Sequence, residues 1–524
     1  MEKDVPKTMK KLVNYSSVTG LLLVVFIASS ILIYGRGIDN HFVADDWNFL
    51  FQVSNAHTLS DVFEFFTFNT GWFVRPTQWV ITWAVYQVAA LNPIPYHLIS
   101  VVLDVINALL LGLFTYRLLK AYQQPSGNYA LAAMVVTVLF LFSWRHHEAI
   151  FWYSSVNELL AALFRLFSLL LITFLVYQKA KSKVVLISAF TLGAFALAIF
   201  SKESAVVLPL ELGLLLMLDY LVRGRQAHRL TLYILFLVPF IVLLSLWAFS
   251  YLQTSTSSSA INVERSGLTV LHTSLLNLTF RFLKFFHGNY IGTRFISNSM
   301  PLMIAELCAL MFLSIVALVR KRYVWLFALF WTFIAIAPYA GMISTDAIEL
   351  QIPVLMLGVG GDRFLYYSAA GASLLVVMSA QWLLDEFQCL THCSKWSGLL
   401  KGAIGLTLLV FIVLNAYRII ECEADWDNAG RISNGIVQQI HELIPNLSVG
   451  DVLCIGNLPD NFNGKYIFRN GISQALYLTY SRDDFAVRAT LQLPHAFREQ
   501  PQLDETNCSY ILYYDEYANI VRAK

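Results

Sequence analysis

Residues 74–91 read VRPTQWVITWAVYQVAAL. The stretch is almost long and apolar enough to cross a bilayer, and whether it does decides the orientation of everything after it. Eleven other apolar runs lie near 15–34, 97–119, 127–143, 156–177, 184–200, 204–222, 231–251, 301–319, 323–341, 366–384 and 399–419. A bilayer core takes about 20 such residues per helix. Short basic loops favour the cytoplasmic side. The lysines at 3, 7, 10 and 11 and the clusters 117–120, 179–183, 223–229 and 320–322 share one side only if 74–91 stays on the other. We therefore read 74–91 as a helix lying in or dipping into the outer interface, a setting that suits Arg75, Pro76, Gln78 and the flanking tryptophans. The first run has a charged start but no convincing small-residue cleavage site, so it reads as an uncleaved span.

The composition supports that class. Of 524 residues, 57% are hydrophobic and 13% charged, and mean hydropathy is +0.60. Soluble domains carry about 25% charged residues. A chain this poor in charge cannot coat a soluble globule of its size, which excludes a cytosolic enzyme and a disordered chain. Lys and Arg total 36 against 34 Asp and Glu, a net +2, so there is no basic surplus for a nucleic-acid partner. Six cysteines make no disulfide framework. Cys389 and Cys393 read as ordinary small residues. A Cys454–Cys508 bridge is open only if that region is extracytoplasmic.

The expected fold is an all-α polytopic membrane protein, with about eleven transmembrane helices and outer-face juxtamembrane helices over residues 1–420. The N-terminus is expected inside (plasma or inner membrane if bacterial). A small extracytoplasmic α/β domain is expected over 421–524, where a helix-like stretch (427–443) precedes the strand-like runs DVLCIG (451–456) and SYILYYD (509–515). The long loops then fall outside, and with them the active surface.

Five polar segments lie on that face. FVADDWNFL (42–50) sets Asp45 beside Asp46; paired carboxylates suit base or cation-holding work. WFVRPTQW (72–79) carries Arg75, whose planar fork suits phosphate, or which anchors an interface. WRHHEAIFWYSSVNE (144–158) bunches Arg145, His146, His147 and Glu148 between tryptophans. SKES (201–204) holds Lys202 and Glu203, and GDRFLYYS (361–368) holds Arg363. Arg75, Lys202 and Arg363 on one face suggest an anionic ligand. Within the spans, Asp104, Arg165 and Glu211 lie seven to nine residues below the outer helix starts, roughly 10–14 Å deep at 1.5 Å per residue. Similar depth predicts a buried Asp104–Arg165–Glu211 network, joined by Asn107, that locks helices together.

In order, these segments resemble the GT-C superfamily of membrane glycosyltransferases, above all the protein O-mannosyltransferases and the transmembrane, tetratricopeptide-repeat O-mannosyltransferases. The likeness rests on FVADDWNFL, VRPTQW, PIPYHLIS, HHEAIFWYSSVNELLAALF, SKESAVVLPLE and GDRFLYYSAAG, and covers about residues 15–380. No tetratricopeptide repeats follow, and Asp104 stands where the relatives often show His. The resemblance implies a sugar donor on a polyprenyl phosphate or diphosphate, with a glycan, lipid or protein acceptor. It implies Asp45 as general base and Asp46 as acceptor-orienting or cation-holding. Arg75, Lys202 and Arg363 would neutralise the leaving phosphate. His147, Glu148 and Glu203 are candidates for acceptor or metal contacts. A divalent cation is left open, and no Walker or Rossmann glycine motif points to a nucleotide cofactor. The competing classes are a transporter of polysaccharide or lipid-linked glycan, and an O-antigen-type polymerase or ligase using Arg265, Arg281, Lys284, His287 and Arg294.

Overall fold

The computed structural model describes residues 7–67, 75–122, 128–176, 180–223, 227–255, 300–339, 362–391, 394–492, 502–515 and 520–522. Cys393, the polymerase-type candidates at 265–294 and the side chain of Cys389 lie outside these.

All eleven apolar runs are helical. Among the described residues, eight helices are long and apolar enough to cross a membrane. The pair Tyr129–Leu141 and Trp144–Phe151 is as long and apolar together but bent by 51°, the shape of a broken span or a re-entrant loop. Ala305–Val319 and Tyr323–Tyr339 are shorter apolar helices. The chain is thus an integral membrane protein whose helices pack as a bundle around one continuous apolar core.

The stretch at 74–91 forms a helix over Pro76–Ala89, with Pro76 in its first turn. Proline suits that position because its missing N–H would have no helical partner. At 14 residues, or about 21 Å, the helix is too short to cross. Two short helices precede it, Asp45–Ser54 and Leu59–Glu64. These are the expected juxtamembrane elements.

Inside the bundle, small residues let backbones approach. A Cβ on Gly371 would lie 2.7 Å from Thr332 Oγ1 and 3.0 Å from the Thr332 backbone nitrogen, so the helices Tyr323–Ile336 and Ser368–Thr391 pack too closely there for a larger residue.

The last long helix runs unbroken from Ser394 to Leu443, so it continues well past the apolar run at 399–419. A four-stranded sheet follows, ordered β4-β1-β5-β6. Its strands are β1 (Val452–Pro459), β4 (Ala486–Gln492), β5 (Tyr510–Tyr514) and β6 (Ile520–Arg522). β2 (Asn461–Phe462) and β3 (Lys465–Tyr466) make a separate hairpin. β1 pairs in parallel with β4 and β5, and the helix Ile472–Tyr480 lies between β1 and β4 in sequence. This is the small α/β unit expected of the tail. Cys454 in β1 and Cys508 just before β5 are disulfide-bonded.

Candidate active site

Segment 144–158 is the hub. It breaks into short helices at Trp144–His146, His147–Phe151 and Tyr153–Ser155, and nearly every side chain in it is buried. Four other segments converge on it.

From one side comes the Asp45–Asp46 turn. The Ser154 N–H (2.7 Å) and Oγ (2.5 Å) both donate to Asp46 Oδ1, and the Val43 N–H donates to Oδ2 at 3.0 Å. Both carboxylate oxygens are engaged and the residue is 1% exposed. The resemblance implied an Asp46 that meets acceptor or cation; instead its carboxylate fastens the turn to the hub. Burial pushes its pKa up to about 7, against the three hydrogen bonds that favour the charged form and with a further push from Asp45. Asp45 is only partly buried, and the Asn470 side-chain amide donates to its Oδ1 at 2.6 Å.

The same serine ties in the helix of Arg75. Gln78 Nε2 donates to the Ser154 carbonyl at 3.1 Å, and Asn157 Nδ2 donates to both Ser154 (2.9 Å) and Gln78 (3.1 Å). Arg75, one turn before Gln78, clamps Glu203 with Nε and Nη2 at 3.0 and 3.1 Å.

Lys202 is buried, with Nζ 3.4 Å from Glu158 and over the Phe364 ring at 5.6 Å. The Tyr339 hydroxyl donates to the other Glu158 oxygen at 2.9 Å. Burial, and then the positive charge of Arg75, lower the Lys202 pKa; Arg363 adds to that. Lys202 adjoins Arg75 through Glu203, the next residue in the chain, and adjoins Arg363 through Phe364.

Arg363 stands over Trp152 and Phe364, each at 4.5 Å, and pairs with Glu148, which also accepts the Arg363 backbone N–H at 3.1 Å. Each expected phosphate-binding cation thus faces one carboxylate: Arg75 with Glu203, Lys202 with Glu158, Arg363 with Glu148. Glu148 and Glu203, expected at an acceptor or metal, pair here with Arg363 and Arg75.

His147 is likewise held by protein groups. Trp426 Nε1 donates to its Nδ1 at 3.1 Å, which leaves the proton on Nε2 to face Asp362 at 3.2 Å. Asp362 also pairs with Arg145. Burial works against the charge on Asp362, yet Arg145 and His147 hold its carboxyl well below the usual range. Among the described residues no group of three His, Cys, Asp or Glu side chains converges as a metal site.

The buried network divides. Arg165 pairs with Glu211 and lies over the Tyr367 ring at 3.5 Å, and the Tyr367 hydroxyl donates to Glu211 at 3.0 Å. Asp104 instead meets His146 Nδ1 at 3.2 Å and the Tyr366 hydroxyl at 2.9 Å, with Asn107 donating to that hydroxyl at 3.0 Å. Similar position along the helices does not fix which face each residue occupies, and Asp104 finds other partners than Arg165.

Ser154, Asp362, Trp426, Tyr466 and Asn470 were not singled out from the sequence, and Gln78 was read only as an interface residue; Ser154 and Asp362 do lie inside the polar segments 144–158 and 361–368.

No protein-family model and no curated protein matches the sequence. Among solved structures, the chain is similar to ArnT from Cupriavidus metallidurans in the apo state, at 14% identity over 91% of this chain and 87% of that one, TM-score 0.43. The same protein bound to undecaprenyl phosphate gives 14% identity, 90% and 86% coverage, and 0.43. The Archaeoglobus fulgidus oligosaccharyltransferase in complex with Zn and sulfate gives 12%, 88% and 62%, and 0.45. Likeness at this level decides nothing about chemistry, and the functional reading rests on this chain's own residues.

Proposed function

We propose that this chain is a GT-C-type glycosyltransferase that moves a sugar from a polyprenyl phosphate or diphosphate to an acceptor at the extracytoplasmic face. One observation carries the reading: three cations from three distant segments gather around the hub that also anchors the Asp45–Asp46 turn.

Asp45 is the general base. The acceptor hydroxyl attacks the anomeric carbon and its proton passes to the Asp45 carboxylate. The bond from that carbon to the phosphate oxygen breaks, its electron pair stays on the oxygen, and the sugar is inverted. Negative charge grows on the leaving phosphate, where prepositioned cations stabilise it most. Three carboxylates balance the three cations in the free protein, so an arriving phosphate exchanges with glutamate for the same donors. An apolar cleft of about 370 Å³ beside the helix of Arg75, lined by Ile81, Val85, Val88, Pro95 and Ile99, offers surface to an isoprenoid chain. We assign residues 1–420 to the transferase unit and 421–524 to an extracytoplasmic α/β unit; the disulfide in the latter suits an oxidising compartment.

Mass spectrometry of surface glycans, glycolipids and glycoproteins from a strain lacking this protein tests the reading. One missing sugar residue is expected, together with accumulation of its polyprenyl-linked donor. Unchanged profiles with no accumulated donor would overturn it.

A further inference from the structure

The C-terminal unit meets the helix of Asp45 at Ser433, which accepts from Trp47 Nε1, and at Tyr477, which packs on Phe51; at the Asp45 turn itself the contacts come from segment 463–471. The Ala44 N–H donates to the Ile467 carbonyl at 2.8 Å. A Cβ on Gly471 would lie 2.2 Å from the Ala44 carbonyl oxygen, so only glycine allows this approach. Ala44 itself has φ 44°, a left-handed backbone that non-glycine residues rarely adopt. The same segment borders the other side of the site: Tyr466 meets Trp152 edge-on at 5.4 Å, Lys465 stands 5.6 Å over Trp426, and Asn463 Nδ2 donates to Asp425 at 2.9 Å. Between these anchors Asn470 donates to Asp45 Oδ1.

We propose that Asn470 is a positioning residue for the Asp45 carboxylate, so that the α/β unit completes the catalytic centre. This rests on the proposed role of Asp45. A carboxylate at a partly exposed helix start turns freely about its side-chain bonds. One fixed donor on Oδ1 selects an orientation and leaves Oδ2 to accept the proton of the incoming hydroxyl. Asn470 touches neither sugar nor phosphate in this scheme. It acts through Asp45, by way of a segment whose backbone is pinned at Ile467 and Gly471.

The test uses the full-length protein, purified in lipid, with the donor identified from the strain lacking it. Asn470→Ala should lower kcat about 10- to 100-fold, the range for losing a hydrogen bond to a charged group and the alignment it provides. KM for the donor should hold, as should thermal stability, because Asn470 is exposed. Asn470→Asp keeps the shape but sets a second carboxylate against Asp45. It should be slower than the alanine variant near neutral pH and recover part of the loss as pH falls and the pair shares a proton. A purely structural role would affect stability or both kinetic parameters together, with no difference between the variants in pH response. Asp45→Asn separates the two claims. If it abolishes turnover while Asn470→Ala retains native kcat, the positioning role fails alone. If Asp45→Asn retains turnover, the base assignment fails and this inference with it.

Discussion

Arg75 grips Glu203 at two points, Nε on one carboxylate oxygen and Nη2 on the other, each within 3.1 Å. In a site proposed to receive phosphate, that glutamate occupies the place of the ligand. Glu203→Gln should therefore raise affinity for polyprenyl phosphate about 3- to 10-fold, and Arg75→Ala should lower it about 10- to 30-fold. Competition binding in detergent reads both. Unchanged affinity in both variants would remove Arg75 from the phosphate site.

Asp46 predicts an unusual dependence of stability on pH. Its folded pKa of about 7 lies above the ordinary carboxyl value near 3.9. Between those values the folded state holds a proton that the unfolded state has released, so stability is highest below about pH 4 and falls as pH rises toward 7. The contribution is on the order of 4 kcal/mol at most. Thermal unfolding in detergent should show this fall, and Asp46→Asn should flatten it. A native profile in that variant would assign the dependence elsewhere.

The buried pair Arg165–Glu211 should matter for folding and little for chemistry. Removing one partner leaves an uncompensated charge in the bundle, so Arg165→Met or Glu211→Met alone should cost about 3–5 kcal/mol. The double variant should regain most of it. Turnover per folded molecule should stay near native in the double variant; a collapse of kcat there would place the pair in the reaction.

How far the sequence carries can be judged at these same residues. Hydropathy located the apolar runs that became helices, because a one-dimensional pattern is enough for that; the run at 74–91 became the short helix Pro76–Ala89. Which side-chain partners each residue finds was not legible. Asp104 and Arg165 were expected in one network, yet one meets Tyr366 and the other sits over Tyr367. The two tyrosines are neighbours in the turn before the helix Ser368–Thr391, and each takes one part of the expected network. Pairings across hundreds of residues, such as Asp45 with Asn470 or His147 with Trp426, leave no local signal at all.

The Cys454–Cys508 bond crosses from β1 to the start of β5 and closes a loop of 54 positions. Cys454→Ser, or reduction, should destabilise the α/β unit by about 2–4 kcal/mol. If Asn470 depends on that unit, activity should fall along with it. Protein from membranes should migrate faster on non-reducing gels than on reducing ones; identical migration with both thiols open to alkylation would contradict an extracytoplasmic tail.

The most direct test of the central claim is to return Asp45→Asn to a strain lacking the native protein and weigh its surface glycans. The account predicts that the missing sugar stays missing although the variant accumulates in the membrane and binds polyprenyl phosphate as the native protein does. Restoration of the native glycan would contradict it.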